Sequence, residues 1–377
     1  MHLFEYECKK IFQEHAIPVP KGSVADSSRE AVKIAESLGG PVAVKAQILI
    51  GGRGKLGGVK FAEGPKEAGE KAAELIGSYV GNIKVERVLV EEKIDFRDEF
   101  YVGITIDRSA KRPVALVSRF GGVDIEQVAF ETPDRVHKHY INPISGLNEE
   151  ESLNLFKKMR LEGEELIQVS YILKRLWEIT RKYDGELIEI NPLVKTVHGK
   201  FLALDAKLVI DDNALFRHPE FKTHQTSLIS GLEAKALAEG LSYVQLDGDI
   251  GVIGNGAGLT MATMDLLSLY GGKPADFLDL GGGATRENVS AALKILLSNE
   301  RVKVVLINVL GGITRCDEVA MGIINSYSVS SSRVPLVVRM VGTNEEEGRK
   351  LLKKIGIETF GDMEEAAQRA VELSRRF

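Results

Sequence analysis

The stretch Val42-Ala43-Val44-Lys45-Ala46-Gln47, followed by Gly51-Gly52-Arg53-Gly54-Lys55-Leu56-Gly57-Gly58, decides the fold of the N-terminal half. An apolar strand carries one lysine and then turns into a glycine-rich loop with two more cations. Glycines let backbone N–H groups approach phosphoryl oxygens closely, and a lysine adds a compact positive charge. We therefore predict a phosphate-binding clamp that includes Lys45 and Arg53. A structural hairpin whose cations bind no ligand is the alternative.

The loop also matches a different nucleotide motif. Gly52, Gly54 and Gly57 have the spacing G-x-G-x-x-G of dinucleotide-binding proteins. That motif requires a helix directly after the glycines, because the helix N-terminus holds the pyrophosphate. Residues 59–62 alternate as a second strand instead. The order strand, glycine loop, strand favours a lid over a nucleotide.

Composition limits the classes of function. The chain has 377 residues, of which 44% are hydrophobic and 27% charged, as expected for a soluble protein of two or three domains. A net charge of −5 argues against nucleic acid as a partner. No apolar run approaches the ~20 residues that span a bilayer, and residues 1–7 lack the pattern of a signal peptide. Cys8 and Cys316 are interpreted as reduced thiols, so we expect a cytoplasmic protein without a membrane partner.

The pattern of predicted elements changes near residue 230, which gives domains of 1–230 and 231–377. The first domain reads as α+β, with a long helical stretch at 150–182 and adjacent strands at 186–194 and 201–208. The second contains four successive strand–turn–helix units, which predict an α/β doubly wound parallel sheet. Their strands are predicted at residues 251–253, 276–280, 302–309 and 335–339.

Three of the turns in the second domain are rich in glycine, at residues 254–258, 281–285 and 311–314. Each follows the carboxyl end of a strand, where doubly wound sheets bind their ligands. We therefore predict an anion site shared by these loops. The alternative is that the glycines only permit tight turns.

A candidate metal site is formed by Glu189, Asn191 and Asp205. Alternation along a strand places Glu189 and Asn191 on one face, and Asp205 lies on the predicted neighbouring strand. Carboxylate and amide oxygens suit Mg²⁺, which takes its other ligands from water and phosphates. The alternative is that Asp205 and Lys207 form a surface pair and that Asn191-Pro192 is a turn.

Other side chains with possible chemical roles are few. Glu91 ends a predicted strand and Glu99 opens the next, where either could accept a hydrogen bond from a base or ribose; solvated carboxylates are the alternative. No histidine follows a glycine-rich turn or has metal-ligand spacing, and no serine lies in a G-x-S-x-G elbow. The sequence thus offers a phosphate clamp and a metal site without a covalent nucleophile.

An ordered series of motifs resembles the β subunits of succinyl-CoA synthetases from end to end. It consists of Leu3-x-Glu5-Tyr6, Val44-Lys45-Ala46-Gln47, Gly51-Gly52-Arg53-Gly54-Lys55, Gly121-Gly122-Val123-Asp124-Ile125-Glu126, Glu131-Thr132-Pro133, Glu189-Ile190-Asn191-Pro192-Leu193, Asn213-Ala214-Leu215-Phe216-Arg217, Asn255-Gly256-Ala257-Gly258-Leu259, Leu278-Asp279-Leu280-Gly281-Gly282-Gly283-Ala284 and Gly311-Gly312-Ile313-Thr314-Arg315-Cys316-Asp317. The resemblance implies an ATP-grasp region followed by a flavodoxin-like domain. It also implies an acid–thiol ligase of the tricarboxylic acid cycle that joins succinate to coenzyme A.

The resemblance further implies a heteromer, αβ or α2β2, whose α subunit binds coenzyme A and carries a phosphorylated histidine. ATP is the expected nucleotide, with GTP the alternative, and Mg²⁺ the expected ion. The matching motifs imply nucleotide contacts for Lys45, Gly52, Arg53, Gly54, Glu91, Ile94 and Glu99, and Mg²⁺ binding for Asn191 and Asp205. They imply that Glu189 contacts the partner's histidine and is catalytic, together with Lys45 and Arg53. They also imply succinate or phosphate binding by Asn255, Gly312, Ile313 and Thr314.

Three rival functions share parts of this pattern. A malate–CoA ligase large subunit would have every motif above and differ only in its acid pocket. A regulatory subunit without turnover would need a broken clamp or metal site, yet Lys45, Arg53 and Asp205 are all present. A biotin-type carboxylase would explain the ATP-grasp region but not the second domain.

Overall fold

The computed structural model describes residues 1–221, 231–328 and 334–376. The chain divides into two compact units, Met1–Phe221 and Lys222–Phe377. The boundary predicted between residues 230 and 231 falls at the end of the stretch 222–230, which lies outside the described residues, so it stays a prediction. Within the described ranges, no helix is both long and apolar enough to cross a membrane.

The first unit mixes helices with mostly antiparallel strands. Its described strands are β1 (Gly22–Ala25), β2 (Val42–Ala46), β3 (Val59–Ala62), β4 (Tyr79–Val80), β5 (Ile83–Lys84), β6 (Val88–Glu92), β7 (Phe96–Asp107), β8 (Arg112–Ser118), β9 (Val136–Tyr140), β10 (Gly185–Thr196), β11 (Phe201–Ala203) and β12 (Lys207–Ile210). Its described α-helices are α1 (Glu5–Glu14), α2 (Ser28–Leu38), α3 (Pro65–Leu75), α4 (Ile125–Glu131), α5 (Glu149–Lys157) and α6 (Gly163–Lys182), with 3₁₀ turns at Pro133–Arg135, Asp212–Arg217 and Pro219–Phe221.

Two larger sheets carry the candidate residues of this unit. One has the order β1-β6-β2-β3, and the other has the order β11-β10-β7-β8-β9 with β12 also paired to β10. Strands β2 and β3 are antiparallel, with Lys45 opposite Val59 across the glycine loop. This confirms the predicted strand–loop–strand order, so the dinucleotide alternative is wrong. Because β2 lies between β6 and β3, all five of its residues are buried, Lys45 among them.

Helix α2 begins and ends at residues that favour the ends of helices. The Ser27 hydroxyl accepts a hydrogen bond from the Glu30 N–H, at 3.3 Å, as an N-cap residue does. Gly39 ends the helix with a φ of 72°, in the left-handed region that favours glycine. Both ends of the helix are therefore set by residues within one turn of it.

Two predicted elements of this unit are wrong. The helical stretch 150–182 breaks between α5 and α6, where Arg160 has a φ of 57° and Arg119 Nε donates to the Met159 carbonyl at 2.7 Å. The strand predicted at 201–208 is divided into β11 and β12, so Asp205 lies between two strands rather than on one. At that break the Leu204 carbonyl turns toward two lysines instead of continuing the ladder.

The second unit alternates strands and helices. Its described elements in chain order are α7 (Gly231–Ala238), β13 (Ser242–Gln245), β14 (Ile250–Gly254), α8 (Ala257–Leu269), β15 (Asp276–Asp279), α9 (Arg286–Leu297), β16 (Val304–Gly311), α10 (Cys316–Tyr327), β17 (Leu336–Gly342), α11 (Glu345–Lys354), β18 (Glu358–Phe360) and α12 (Met363–Ser374).

These strands form a sheet of order β13-β15-β14-β16-β17-β18, parallel except where β13 pairs with β15. Successive residues of β16 point to opposite hydrophobic cores: Val305 and Ile307 pack with α9 and α10, whereas Val304 and Leu306 pack with α8 and α12. Apolar cores on both faces confirm the predicted doubly wound sheet. The antiparallel edge strand β13 was not predicted.

Asp276 is an acidic residue inside this sheet, with no solvent exposure. Its Oδ1 accepts a hydrogen bond from the Val252 N–H at 3.1 Å, but no described residue offers a partner to its Oδ2. Burial raises the pKa of this carboxyl from 3.8 to about 8, against the smaller opposing effect of the Val252 N–H. The folded protein therefore holds a proton on Asp276 at neutral pH.

This proton predicts a pH-dependent stability. Between about pH 4 and pH 8 the folded state binds the Asp276 proton and the unfolded state does not. The contribution of Asp276 to the free energy of unfolding is therefore lost as pH rises through this window, by at most about 1.4 kcal/mol per pH unit. Asp276→Asn removes this dependence, and the variant should gain stability relative to the parent chain as pH increases. Urea unfolding at several pH values measures the difference. Asp247→Asn, at an exposed aspartate, is the control, and equal pH slopes for both variants would contradict the assignment.

Candidate active site

The predicted clamp cations are buried in the first unit. Lys45 is 8% exposed and Arg53 is 7% exposed. The Lys45 ammonium lies 2.5 Å from Glu91 Oε1 and 3.1 Å from Glu5 Oε1, and it donates to the Leu204 carbonyl at 2.6 Å. Lys45 is therefore held by carboxylates in the state that the structure describes, and its role in binding phosphate stays a prediction.

Arg53 is held in the same way from the loop. Its Nη2 pairs with Glu5 and lies 3.1 Å from Asp205 Oδ1. Its Nη1 donates to the carbonyl of Ala46, the last residue of β2, at 3.0 Å. The guanidinium thus connects the glycine loop to β2, to α1 and to the break between β11 and β12.

Helix α1 supplies two further members, Glu5 and Lys9, whose roles the sequence reasoning missed. Lys9 Nζ lies 2.5 Å from Glu91 Oε2 and 2.9 Å from Glu5 Oε1, and donates to the Leu204 carbonyl at 2.8 Å. The sequence contained a signal for this contact. Glu5 and Lys9 are four residues apart and therefore share a helix face, and the same face carries the buried, apolar Cys8. A charged pair on an apolar helix face indicates a buried polar contact.

We call these six residues the buried charge cluster: Glu5, Lys9, Lys45, Arg53, Glu91 and Asp205. It contains three cations and three carboxylates, which balance one another. Burial opposes the ionisation of Glu5, but the nearby cations outweigh it and hold the pKa of Glu5 well below its ordinary value. Burial likewise opposes the charge on Lys45, but Glu5 and Glu91 outweigh it and raise the Lys45 pKa. Both Glu5 and Lys45 therefore stay ionised, whereas burial raises the pKa of Asp205.

The glycine loop leaves open space beside this cluster. Gly52 has a φ of 67° and an added Cβ there would meet nothing within 4 Å. At Gly54, an added Cβ would meet only Val59, at 4.0 Å. The loop closes on itself through hydrogen bonds from Lys55 N to Gly52 O and from Gly58 N to Arg53 O. A ligand could thus approach the exposed backbone of Gly52 and Gly54.

The remaining residues predicted to contact a nucleotide lie on or between β6 and β7. Glu91 is 2% exposed, so the alternative of a solvated carboxylate is wrong for it. Ile94 lies in the connection between the two strands and is partly exposed. Glu99, on β7, is partly buried, and burial raises its pKa. Its carboxylate lies against Gly122, where an added Cβ would come within 3.2 Å of either oxygen.

The residues predicted at the metal site have separate partners. Asn191 Oδ1 accepts from the Gly122 N–H at 2.7 Å, and its Nδ2 donates to the Val123 carbonyl at 2.9 Å. The Tyr101 hydroxyl donates to Glu189 Oε2 at 3.0 Å, and Lys207 Nζ lies 3.7 Å from Glu189 Oε1. Lys207 thus pairs with Glu189 rather than with Asp205.

The alternatives considered for this region are therefore wrong. Asp205 pairs with Arg53, not with Lys207 in a surface pair. Asn191-Pro192 lies inside β10, at a register shift in its pairing with β7, and is not a turn. The shift interrupts the simple alternation that placed Glu189 and Asn191 on one face.

The donor chemistry of Asn191 and Asp205 fits Mg²⁺. The Asp205 side chain is 41% exposed, and both of its hydrogen bonds, from Arg53 and from the Ala206 N–H, reach Oδ1. One carboxylate and one amide oxygen suit an ion that keeps waters and phosphate oxygens as its other ligands. Among residues 1–221, 231–328 and 334–376, no group of three or more His, Cys, Asp or Glu side chains could hold a metal by itself.

The second unit joins three loops at Thr314, which is 2% exposed. The Thr314 hydroxyl oxygen accepts from the N–H groups of Gly283, at 3.1 Å, and Ala284, at 3.3 Å, and from Asn255 Nδ2, also at 3.3 Å. Asn255 also exchanges two hydrogen bonds with the Leu310 backbone, at 2.8 and 3.0 Å. The three glycine-rich turns therefore meet at one edge of the sheet.

Two other loop residues face outward from this junction. The Gly312 carbonyl accepts from the Thr343 hydroxyl at 2.9 Å. Ile313 is 89% exposed, although it is a large aliphatic residue. Both precede the N-terminus of α10, whose first backbone N–H groups have no partner within the helix. Of the four residues predicted here, the structure brings Asn255 and Thr314 into contact and places Gly312 and Ile313 on the same loop as Thr314.

Comparison with known proteins adds an independent line of evidence. A family model described as an ATP-grasp domain matches residues 2–195, and one described as CoA-ligase matches residues 253–373. The succinate–CoA ligase [ADP-forming] subunit beta of Staphylothermus marinus is 46% identical over 100% of this chain and 99% of its own length. That of Ignicoccus hospitalis is 47% identical over 100% of both.

The chain belongs to the succinate–CoA ligase β-subunit family. The resemblance inferred from the motifs is thereby confirmed, as is an ATP-grasp region followed by a CoA-ligase domain. A further relative, from Thermus thermophilus, is named succinate–CoA ligase [GDP-forming] subunit beta and is 46% identical over 99% of each chain. A solved ATP citrate lyase from Methanothrix soehngenii superposes with a TM-score of 0.73 over 98% of this chain and 99% of its own, at 19% identity, and shares the fold.

The hydrogen bonds of the loop junction give Thr314 a testable structural role. Thr314→Val removes the hydroxyl and leaves the N–H groups of Gly283 and Ala284 without this acceptor, so the free energy of unfolding should fall by about 1–3 kcal/mol. Thr314→Ser keeps the oxygen and should retain most of that stability. Chemical denaturation of the full chain provides the measurement. Equal losses in both variants would contradict the assignment, because Thr314→Ser keeps the hydroxyl that Thr314→Val removes.

Proposed function

We propose that this chain is the β subunit of an ADP-forming succinate–CoA ligase. With an α subunit it would catalyse the reaction succinate + CoA + ATP = succinyl-CoA + ADP + phosphate. The observation that carries the proposal is the convergence of Lys45, Arg53 and Asp205 beside an open glycine loop, in a chain whose full-length relatives have that name. Relatives of both nucleotide types support ATP as substrate with GTP as the alternative.

In the proposed reaction the γ-phosphoryl group passes from ATP to a histidine of the α subunit and ADP leaves. The phosphoryl group then moves to a succinate carboxylate oxygen and the histidine nitrogen is released. The thiol of CoA, having lost its proton, attacks the acyl carbonyl; a C–S bond forms and phosphate leaves. A transferred histidine phosphate explains why this chain needs no nucleophile of its own.

The nucleotide would bind in the first unit. Lys45 and Arg53 would neutralise phosphoryl oxygens, the N–H groups of Gly52 and Gly54 would donate to them, and Glu91, Ile94 and Glu99 would contact the base and ribose. Phosphoryl transfer depends chiefly on such positioning and charge neutralisation. Asn191 and Asp205 would hold Mg²⁺, which supplies further neutralisation when it is bound.

Glu189 would receive the histidine of the α subunit. It is 17% exposed, and the Tyr101 hydroxyl fixes its Oε2. A carboxylate that accepts one ring N–H of a histidine sets the tautomer and leaves the other nitrogen free to take a phosphoryl group. This is the catalytic role that we propose for Glu189.

The loop junction of the second unit would bind succinate or the phosphate carried by the partner. Asn255 and Thr314 shape the junction, and Gly312 and Ile313 lie on the turn before α10. The N-terminus of α10 would favour an anion because its dipole is positive there, although the Cys316 N–H already donates to the Thr343 carbonyl at 2.9 Å. We keep the predicted cytoplasmic location as part of this proposal.

The direct test is an acylation assay on the chain co-expressed with the protein encoded by its genomic neighbour. ATP or GTP is offered with succinate, malate or acetate, and CoA consumption is followed. Turnover of succinate that requires both chains and prefers ATP is the expected result. Preference for malate would identify malate, rather than succinate, as the acid substrate. Nucleotide binding without any acylation would favour the regulatory alternative.

A variant tests the metal assignment separately. Asp205→Asn removes the carboxylate while Glu5 still pairs with Arg53, so the fold should persist. The Mg²⁺ concentration for half-maximal activity should rise and turnover should fall by about tenfold or more, since a charged ligand is lost. Magnesium titration of the steady-state rate measures both. Asp134→Asn, at an exposed aspartate with no proposed role, is the control; unchanged Mg²⁺ dependence in Asp205→Asn would refute the assignment.

A further inference from the structure

We propose that Glu5 is a positioning residue of the nucleotide site, which sets the places of Lys45 and Arg53 before a nucleotide binds. This inference rests on the proposed function, because it concerns the same clamp. It adds a residue from α1 to a site whose other members lie on β2, the glycine loop and the strands that follow.

Glu5 is the hub of the buried charge cluster. Its Oε1 contacts Lys9 and Lys45, at 2.9 and 3.1 Å. Its Oε2 contacts Arg53 and accepts from Gln47 Nε2, the latter at 3.2 Å. Both oxygens are thus shared between two donors, and all three cations of the cluster touch one carboxylate.

The other two carboxylates cannot replace this arrangement. Glu91 contacts Lys9 and Lys45, and Asp205 contacts Arg53. Without Glu5, no carboxylate of the cluster would connect Lys45 to Arg53. Like charges at short distance repel strongly in a site of low dielectric, so the two clamp cations would separate or lose their fixed orientation.

Exposure distinguishes Glu5 from the carboxylate that a metal could use. The Glu5 side chain is 2% exposed, whereas that of Asp205 is 41% exposed. A ligand that approaches from solvent therefore reaches Asp205 and the outer sides of the cations, while Glu5 stays behind them. Glu5 can keep its contacts when phosphoryl oxygens bind, which is what a positioning residue requires.

Helix α1 is itself fixed to the end of β2. The Tyr6 N–H donates to Gln47 Oε1 at 3.1 Å, and Gln47 Nε2 returns a hydrogen bond to Glu5. On the same helix, Cys8 and Phe12 have no solvent exposure. The position of the Glu5 carboxylate is therefore determined by packing and by two hydrogen bonds to Gln47, and is not a chance contact of a flexible side chain.

The experiment measures affinity for the non-hydrolysable analogue AMP-PNP, with Mg²⁺, by calorimetry on the complex with the co-expressed partner. Glu5→Gln keeps the size of the side chain and removes its charge. We expect its Kd to rise by about ten- to hundredfold, as for the loss of a charged hydrogen bond. Glu14→Gln, at an exposed glutamate of the same helix, is the matched control and should stay within about twofold, well inside the tenfold that 1.4 kcal/mol represents.

A second variant separates positioning from stability. Glu5→Gln combined with Lys9→Met removes one anion and one cation, so Lys45 and Arg53 again balance Glu91 and Asp205. Thermal stability should recover toward that of the parent complex, but the Kd should stay raised, because no carboxylate then connects the two clamp cations. Recovery of both stability and Kd would assign Glu5 a purely structural role and overturn the proposal.

The outcomes also distinguish this inference from the proposed function. Equal AMP-PNP affinity in the parent complex and Glu5→Gln overturns the inference and leaves the proposed function intact. If the Kd is raised in Glu5→Gln but the parent complex does not turn over succinate, the inference is supported and the proposal that succinate is the acid substrate is overturned. A parent complex that binds neither ATP nor AMP-PNP overturns both.

Discussion

Three cations of the first unit lie within hydrogen-bonding distance of one buried carboxylate, that of Glu5, and much of the local architecture depends on this contact. An unpaired charge at such depth costs several kcal/mol, so each member requires the others to be in place. The contact fixes α1 against β2, holds the glycine loop through Arg53, and gives the free Leu204 carbonyl its partners. Chain segments far apart in sequence are thereby made interdependent.

The second unit assembles its loops by a different means. Its junction uses neutral groups: the Thr314 hydroxyl accepts from backbone N–H groups, and the Asn255 amide exchanges bonds with Leu310. Asp279 adds a carboxylate oxygen that accepts from the N–H groups of Gly256 and Gly281, at 2.6 and 2.8 Å. Apart from Asp279, neutral groups are sufficient here because the groups to be satisfied are backbone N–H donors rather than ionised side chains.

Sequence reasoning succeeded where structure is determined locally. The strand–loop–strand order around Lys45 and the parallel units of the second domain both follow from patterns that span a few residues. It failed at Asp205, because the alternation of apolar residues runs through 201–208 without a visible break. The break is set by bonds from Lys9 and Lys45 to the Leu204 carbonyl, across 195 and 159 residues of sequence, which no local pattern can report.

Glu5 and Lys9 were missed for a related reason. A helix is recognised by its apolar stripe, and the charged residues Glu5 and Lys9 beside Cys8 were not assigned to that buried face, although both are 5% exposed. Buried ion pairs are often no better for stability than apolar residues of similar volume. A cluster of five buried charged groups and the partly exposed Asp205, beside an open glycine loop, is therefore better explained by what it positions. That argument agrees with the phosphate-binding role that we propose for Lys45 and Arg53.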